Sequence, residues 1–296
     1  MKAPKPIPVA VLLVVLFLNT INVHAQIDTS QVKSSKIYVV IKNDGSEYVG
    51  TILSQDAREV LIETKNLGQI VIPKHEIREI REVRSGEMSQ KGEYLTEEVF
   101  ATRYFITTNG IPISKGESYI QWNLYGPDFQ FGVAKNFGVG IMSTWVGMPI
   151  IGSAKYSIKL AEKANVGLGI LLGTGSWAQP EFGLALPFGA LTFGDRRNNI
   201  NLSAGYGTVW SGGSGDGRVL FSIAGMKKMG NKASLIFDSF IMPGLNGNYD
   251  GWALLIPGIR FQTGIDKAFQ FGFAGIIANS KMVPAPIPMV QWYRKL

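Results

Sequence analysis

The chain has no cysteine, and its only two histidines are His24 and His75. Without cysteine there can be no disulfide framework and no thiol nucleophile, and a lipoprotein anchor, which needs a cysteine at its processing site, is also excluded. One histidine downstream of the leader cannot build an ordinary zinc site. We therefore expect neither a metal nor a cofactor, and we interpret His75 as a solvated turn residue.

Long hydrophobic runs are also missing. The apolar run at residues 9–18, behind Lys2 and Lys5, is too short for a spanning helix, which needs about 20 apolar residues. Small or aliphatic residues then precede a cut between Ala25 and Gln26, which is the pattern of a secretory signal peptide over residues 1–25. A retained anchor is the disfavoured alternative. Any membrane insertion further along the chain must use strands.

Charge is scarce in one part of the chain only. Residues 26–100 carry 10 basic and 13 acidic residues in 75 positions, whereas residues 101–296 carry 17 and 9 in 196 positions. Of the 35 glycines, 30 lie in the second region. This contrast predicts two domains. The net charge of +7 does not indicate nucleic-acid binding, because the cations are scattered rather than clustered with stacking aromatic residues.

From about Ile120, bulky apolar residues alternate with small ones. Phe137, Val139 and Ile141, for example, alternate with Gly138 and Gly140. A strand of a soluble sandwich would have charged residues on its second face. Here that face is small or polar, which favours a transmembrane barrel with bulky side chains outward and a polar lumen. Residues 101–296 are therefore predicted to form an outer-membrane β-barrel.

Twelve strands can be marked in this region, with ten or fourteen as alternatives because two of them are apolar on both faces and contain Pro187 and Pro257. Short charged turns alternate with longer, nearly uncharged loops, as in outer-membrane barrels. An even count puts both ends of the barrel segment in the periplasm. The strands are expected at about residues 118–125, 128–134, 137–145, 151–160, 165–173, 182–193, 199–209, 218–227, 232–241, 252–262, 267–277 and 287–295.

Residues 34–84 are predicted to form a small periplasmic β-domain, and residues 85–100 a polar linker. Short β-rich runs are separated by turn signals such as Asn43-Asp44-Gly45. Five strands in about fifty residues indicate an SH3-like or Sm-like barrel. The segments Asp44-Gly45-Ser46, Gly50-Thr51-Ile52 and Ile72-Pro73-Lys74 resemble the small β-domains of exported bacterial proteins. That resemblance concerns fold more than function.

A second resemblance begins where the composition changes. The run Thr102-Arg103-Tyr104-Phe105, followed by Lys115-Gly116-Glu117, is similar to the entry segment of uncharacterised outer-membrane β-barrel proteins of Bacteroidota. The resemblance implies a barrel that starts in this segment. It brings no catalytic residues with it.

Four charged residues are expected to face the lumen, because on the lipid face each would cost about 2–4 kcal/mol near the midplane. They are Lys155, Lys159, Asp238 and Arg260. One interpretation is a cation-lined passage for anionic or polar solutes. The other is that these charges pair with one another and with further groups, so that the barrel is plugged.

The function predicted from the sequence is that of a non-enzymatic barrel in the outer membrane, acting as a passive pore or small-solute carrier, with residues 34–84 available to a periplasmic protein partner. The first alternative is a plugged barrel that anchors the periplasmic domain. The second is an envelope lipid-modifying enzyme. This is disfavoured because residues 101–296 contain no histidine to activate a serine. The predicted partners are outer-membrane lipid and a periplasmic protein, not nucleic acid.

Overall fold

The computed structural model describes residues 36–83, 87–88, 94–244, 251–264, 266–278, 281–282 and 286–296. The predicted signal peptide, with its cut between Ala25 and Gln26, lies outside these residues. The chain divides into two units, Met1–Ser85 and Gly86–Leu296. Both are built from antiparallel strands, as predicted. No helix in the described ranges is long and apolar enough to cross a membrane.

The first unit is a five-stranded antiparallel sheet in the order β4-β3-β2-β1-β5. Val40, Ile62 and Ile72 form its buried core. The first hairpin turns at Gly45, whose φ of 85° favours glycine. A 3-10 turn, Lys74–Glu76, precedes the last strand. The strands are β1 (Tyr38–Lys42), β2 (Glu47–Gln55), β3 (Glu59–Thr64), β4 (Gly68–Pro73) and β5 (Ile77–Glu82).

The second unit is a closed antiparallel barrel of twelve strands, which confirms the predicted fold class. Each strand pairs with its neighbours in the sequence, and the last strand closes the barrel by pairing with the first. The barrel strands are β6 (Ser118–Asn123), β7 (Gly126–Ala134), β8 (Phe137–Ser143), β9 (Ile150–Ala161), β10 (Ala164–Gly175), β11 (Gln179–Gly194), β12 (Asn198–Ser211), β13 (Ser214–Lys228), β14 (Ala233–Met242), β15 (Trp252–Gln262), β16 (Lys267–Ala278) and β18 (Ile287–Lys295). The two-residue β17 (Lys281–Met282) pairs with β16.

The outer surface of the barrel is apolar, in the direction that the alternation predicts. On β10, Leu168 and Leu172 are each 53% exposed, and on β16 Phe271 and Phe273 are 37% and 46% exposed. Their neighbours along each strand point inward. An apolar surface that encircles a barrel is far larger than the patches tolerated by soluble proteins. It matches a hydrocarbon layer, and we treat the twelve strands as membrane-spanning.

The two ends of the barrel differ. The turn end carries the short connections 135–136, 162–163 and 195–197, together with the start of β6 and the end of β18. The opposite end, here called the loop end, carries the longer connection 144–149. Two loops predicted to be long are tight turns instead, because the strands continue further than the pattern indicated. One of them, Gly212-Gly213, has positive φ at both positions, as a type I′ hairpin requires.

Five tryptophans lie near strand ends, where an aromatic girdle would meet the membrane interface. Trp145, Trp177, Trp210 and Trp292 are exposed, between 43% and 74%. Trp252 differs, because its side chain is on the same face of the sheet as Phe240, which lines the lumen. The two ring centroids are 5.9 Å apart. It therefore belongs to the interior wall rather than to the girdle.

Candidate functional site

The barrel is filled by its own chain. Residues 98–114, here called the plug, lie inside the lumen, with Tyr104 and Phe105 fully buried against Met226 and Ile256 of the wall. The plug enters at the turn end, where the Glu98 backbone N–H donates to Arg196 O at 3.3 Å. It also returns there, because Arg196 Nη2 donates to Glu117 Oε2 at 2.8 Å after the plug ends.

The plug extends the second unit beyond the boundaries expected from sequence. Residues 85–100 were assigned to a linker and the barrel was expected to occupy 101–296. In the structure Tyr94, Leu95 and Phe100 are buried within the second unit. These apolar side chains are buried against the turn end and inside the lumen. The stretch has no strand periodicity by which a place in the barrel could be recognised.

Asp238, on β14, holds the tip of the plug. Its Oδ2 accepts the backbone N–H groups of Phe105, Ile106 and Thr107 at 3.0, 2.7 and 2.9 Å, and its Oδ1 accepts the Thr107 hydroxyl at 2.6 Å. The carboxylate is 1% exposed. Four donors on one buried carboxylate make a charge-assisted anchor for the chain reversal at 105–107.

Arg260, on β15, binds backbone carbonyl groups of the plug, whereas Asp238 binds backbone N–H groups. Its guanidinium donates to Phe100 O at 2.7 Å and to Arg103 O at 2.8 Å, while Nε donates to Gln270 Oε1 at 2.6 Å. It also lies over the Tyr293 ring, 4.6 Å from the centroid. A fully buried arginine thus satisfies main-chain carbonyl groups that the irregular plug cannot satisfy within itself.

The two candidate lysines differ in position. Lys155 Nζ donates to Thr108 Oγ1 at 3.0 Å, to Asn109 O at 2.8 Å and to Ile111 O at 3.3 Å, so it holds the returning arm of the plug. Lys159 is exposed near the turn end and makes no hydrogen bond or ion pair with the plug among the described residues. Three of the four candidate charges therefore meet at the plug.

These charges do not neutralise one another, which was one interpretation of the sequence. Asp238 is satisfied by backbone N–H groups, whereas Arg260 and Lys155 bind mostly backbone carbonyls. Main-chain partners carry no sequence signature, and so this arrangement could not be read from residue types. The structure also forms side-chain ion pairs that sequence reasoning missed, and two of them lie at the plug. Arg103 donates to Asp128, and Lys228 Nζ donates to Glu98 Oε2 at 3.2 Å.

Neutral amides and glycines complete the seat of the plug. Phe105 O accepts from Gln291 Nε2 at 2.8 Å and from Gln121 Nε2 at 3.2 Å. The Phe105 ring fits against Gly272, where an added Cβ would lie 2.6 Å from Cζ of the ring. Glutamine at interior positions of three neighbouring strands was a usable signal, because such long polar side chains need partners inside a barrel.

A cavity lies on the loop side of the plug. Its volume is about 100 Å³, within about 610 Å³ of empty space that includes open solvent, and its walls are mainly apolar. On the strands that contact the plug, the contacting residues, such as Gly167 and Thr192, lie nearer the turn end. The residues that line the cavity lie further along the same strands, toward the loop end. The walls include Met142, Leu171, Leu186, Phe188, Leu220 and Phe240.

The floor of this cavity is the plug itself, through Arg103, Ile106, Thr107 and Thr108. Arg103 is 7% exposed, and its Nε has no hydrogen-bond partner among the described residues. An apolar chamber with one buried donor at its base resembles the general form of small-molecule sites.

Strands β11 and β15 do not alternate between bulky apolar and small residues, because several of their inward-facing side chains are also apolar. On β11, Leu186 and Phe188 face the cavity. On β15, Ile256 belongs to the buried cluster that contains the plug residues Tyr104 and Phe105, and Leu254 packs against that cluster. The sequence feature that left the strand count open therefore marked the places where the lumen is not lined by polar groups.

Among the residues that the structure describes, no group of three or more His, Asp or Glu side chains is placed to hold a metal ion. No family model and no curated protein matches the chain. Among solved structures it is similar to one titled "CymD monoaromatic hydrocarbon channel", with a TM-score of 0.38 and 8% identity, covering 88% of this chain and 87% of that chain. A likeness of this size carries no inference about function.

Proposed function

We propose that this protein is an outer-membrane barrel that carries a small, mainly apolar solute, and that the cavity above the plug is the binding site. The observation that carries the proposal is the apolar chamber, closed on its inner side by a plug that is held by buried charges. The short turns and both ends of the barrel segment lie at one end, which supports a periplasmic location for that end and for the first unit.

An open polar pore is less well supported. Such a pore would need the inward cations to face water, but Lys155 and Arg260 are engaged with plug carbonyls. The apolar walls would also disfavour ions, which lose their hydration in such surroundings.

The cavity favours a solute with an apolar body and one hydrogen-bond acceptor. Leu171, Leu186 and Phe188 offer apolar contact, while Arg103 supplies the donor on the floor. Arg103 Nε is closed to solvent, so a solute that shifts this side chain and brings an acceptor to it would satisfy a buried group that otherwise has no partner, which favours binding.

Fluorine NMR of the protein in lipid nanodiscs, with fluoronaphthol as the probe, tests the site. Leu171→Trp fills the cavity and is expected to weaken probe binding by about tenfold or more, or about 1.4 kcal/mol. Leu172→Trp is the matched control. Its side chain is 53% exposed on the outer face of the same strand, and so binding should be unchanged.

Fluoronaphthalene, which lacks the hydroxyl, should bind more weakly than fluoronaphthol if Arg103 recognises an acceptor. If the wild-type protein broadens neither probe beyond the effect of empty nanodiscs, the carrier proposal is wrong. That result would favour the alternative of a plugged barrel that anchors a periplasmic domain. The ties between Arg197 and the chain before the plug are consistent with it, including Arg197 Nε to Leu95 O at 2.6 Å.

A further inference from the structure

The wall of the barrel is interrupted next to the cavity. Strands β13 and β14 pair at Phe221 with Ile241 and again from Gly225 with Phe237, in the same register. Between these points three successive residues on each strand, 222–224 and 238–240, do not pair. At about 3.4 Å per residue, the interruption is about 10 Å long.

The seams on either side of these two strands are continuous. On its other side β13 pairs with β12 without a break from Asn198–Ser211, and β14 pairs with β15 without a break from Trp252 to Phe261. Two shorter interruptions elsewhere occur where Pro187 and Pro257 remove a backbone donor. The β13–β14 seam contains no proline, so its opening has a different cause.

One hydroxyl group bridges the opening. Ser239 Oγ accepts the Ile223 N–H at 2.9 Å and donates to Ile223 O at 2.7 Å. The side chain thus occupies the place of the β14 backbone in the ladder and satisfies both main-chain groups of Ile223. A hydroxyl on a rotatable side chain is released more easily than a row of backbone hydrogen bonds, because no second strand must move as a unit.

Both sides of the opening suit an apolar solute. Inside, Leu220, Ser222 and Phe240 from these two strands line the cavity. Outside, Leu202 is 46% exposed on the face that meets lipid, and Phe221, which also borders the cavity, is 44% exposed. The Ser222 hydroxyl is buried and has no hydrogen-bond partner among the described residues. At this seam the wall between the cavity and the hydrocarbon layer therefore lacks a continuous backbone ladder.

We propose that the β13–β14 seam is a lateral portal through which the solute passes between the cavity and the hydrocarbon layer of the membrane. The portal rests on the proposed function, since it serves the solute held in the cavity. It opens when the Ser239 side chain leaves Ile223, and the adjacent Asp238 keeps the plug seated while it does so. The class of solute is an apolar molecule that partitions into lipid and carries one polar group.

A disulfide across the seam tests the portal. Because the chain has no native cysteine, the two introduced cysteines can pair only with each other within a molecule. The pair Ile223→Cys with Ser239→Cys joins the two positions that face each other at the middle of the opening. Fluorine exchange NMR in nanodiscs then measures two quantities for fluoronaphthol, its affinity for the cavity and its rate of exchange between lipid and cavity. The matched control is Leu235→Cys with Ile259→Cys, which crosses the continuous β14–β15 ladder.

The portal predicts that oxidation of the seam pair slows exchange by about tenfold or more while the affinity changes little, and that reduction restores the rate. The control pair should show the same rate in both states. Ser239→Ala gives an independent reading that needs no disulfide. Loss of the bridge should accelerate exchange.

Unchanged exchange in the oxidised seam pair, with binding intact, would overturn the portal and leave the carrier function standing. An unchanged rate in Ser239→Ala would also contradict it. Absence of binding in the wild-type protein would remove both proposals. The two failures are therefore distinguishable.

Discussion

Asp238→Ala is expected to turn a silent barrel into a conducting one. The wild-type protein should pass no steady current in a planar bilayer, because the plug fills the lumen on the turn side. The substitution leaves three backbone N–H groups at 105–107 without their acceptor. Each buried donor that loses its partner costs about 1–3 kcal/mol. The plug tip should therefore leave its seat for part of the time and admit ions.

Two control variants accompany this measurement. Asp238→Asn keeps an acceptor oxygen without the charge and should give fewer openings than alanine. Lys159→Ala removes an exposed inward charge that does not hold the plug and should stay as silent as the wild type. Steady conductance in the wild type that falls on replacing Lys155 and Lys159 would contradict the plugged barrel and support an open pore.

Arg260→Ala is expected to give the largest loss of stability of any single change in the barrel. The substitution leaves the buried carbonyl groups of Phe100 and Arg103 without the donor that Arg260 supplies. It also removes a cation that lies 4.0 Å from the buried Glu98 carboxylate. Breaking a buried charge network in this way typically costs about 3–5 kcal/mol. Urea unfolding in detergent, followed by the gel mobility shift between folded and unfolded barrel, gives the change in the free energy of unfolding.

Arg260→Lys separates charge from geometry, because lysine keeps the charge but lacks the planar fork that reaches two carbonyls. It should recover only part of the loss. Arg218→Ala is the arginine control. That side chain lies at the loop end beside the exposed Asp216, and its removal should leave stability within about 0.5 kcal/mol. A small loss for Arg260→Ala would mean that the plug is not held by this residue.

The strands were predictable because side chains alternate between the two faces of a strand. In a membrane barrel the bulky apolar side chains face outward to lipid, whereas in a soluble protein they face the core. Val166, Leu168 and Ile170 with glycine between them sufficed to define β10 to within two residues at each end. Even the irregular β11 was located to within three residues. Some strands are longer than predicted, because glycine and serine residues that are typical of turns continue the hydrogen-bonded ladder. The long hairpin β12–β13 is an example.

The plug and the cavity were not predictable in the same way. Residues 98–114 have no periodicity, and what holds them is mostly main chain to side chain. Lys155, Asp238 and Arg260 could be assigned to the lumen from the cost of facing lipid. Their partners, however, are backbone groups that any sequence would offer. Leu186 and Phe188 on the inner face were visible as a departure from alternation, but only the folded barrel shows that they line a chamber.

The central claim is that bulky residues of the second unit face hydrocarbon and small or polar ones face the interior. Spin labels on single cysteines at consecutive positions 168–173 of β10, in a chain with no native cysteine, test it in liposomes. Collision with oxygen, which concentrates in lipid, should be high at 168, 170 and 172 and low at 169, 171 and 173. A flat profile, or a protein that stays monodisperse in detergent-free buffer with Leu168 and Leu172 shielded, would contradict the account.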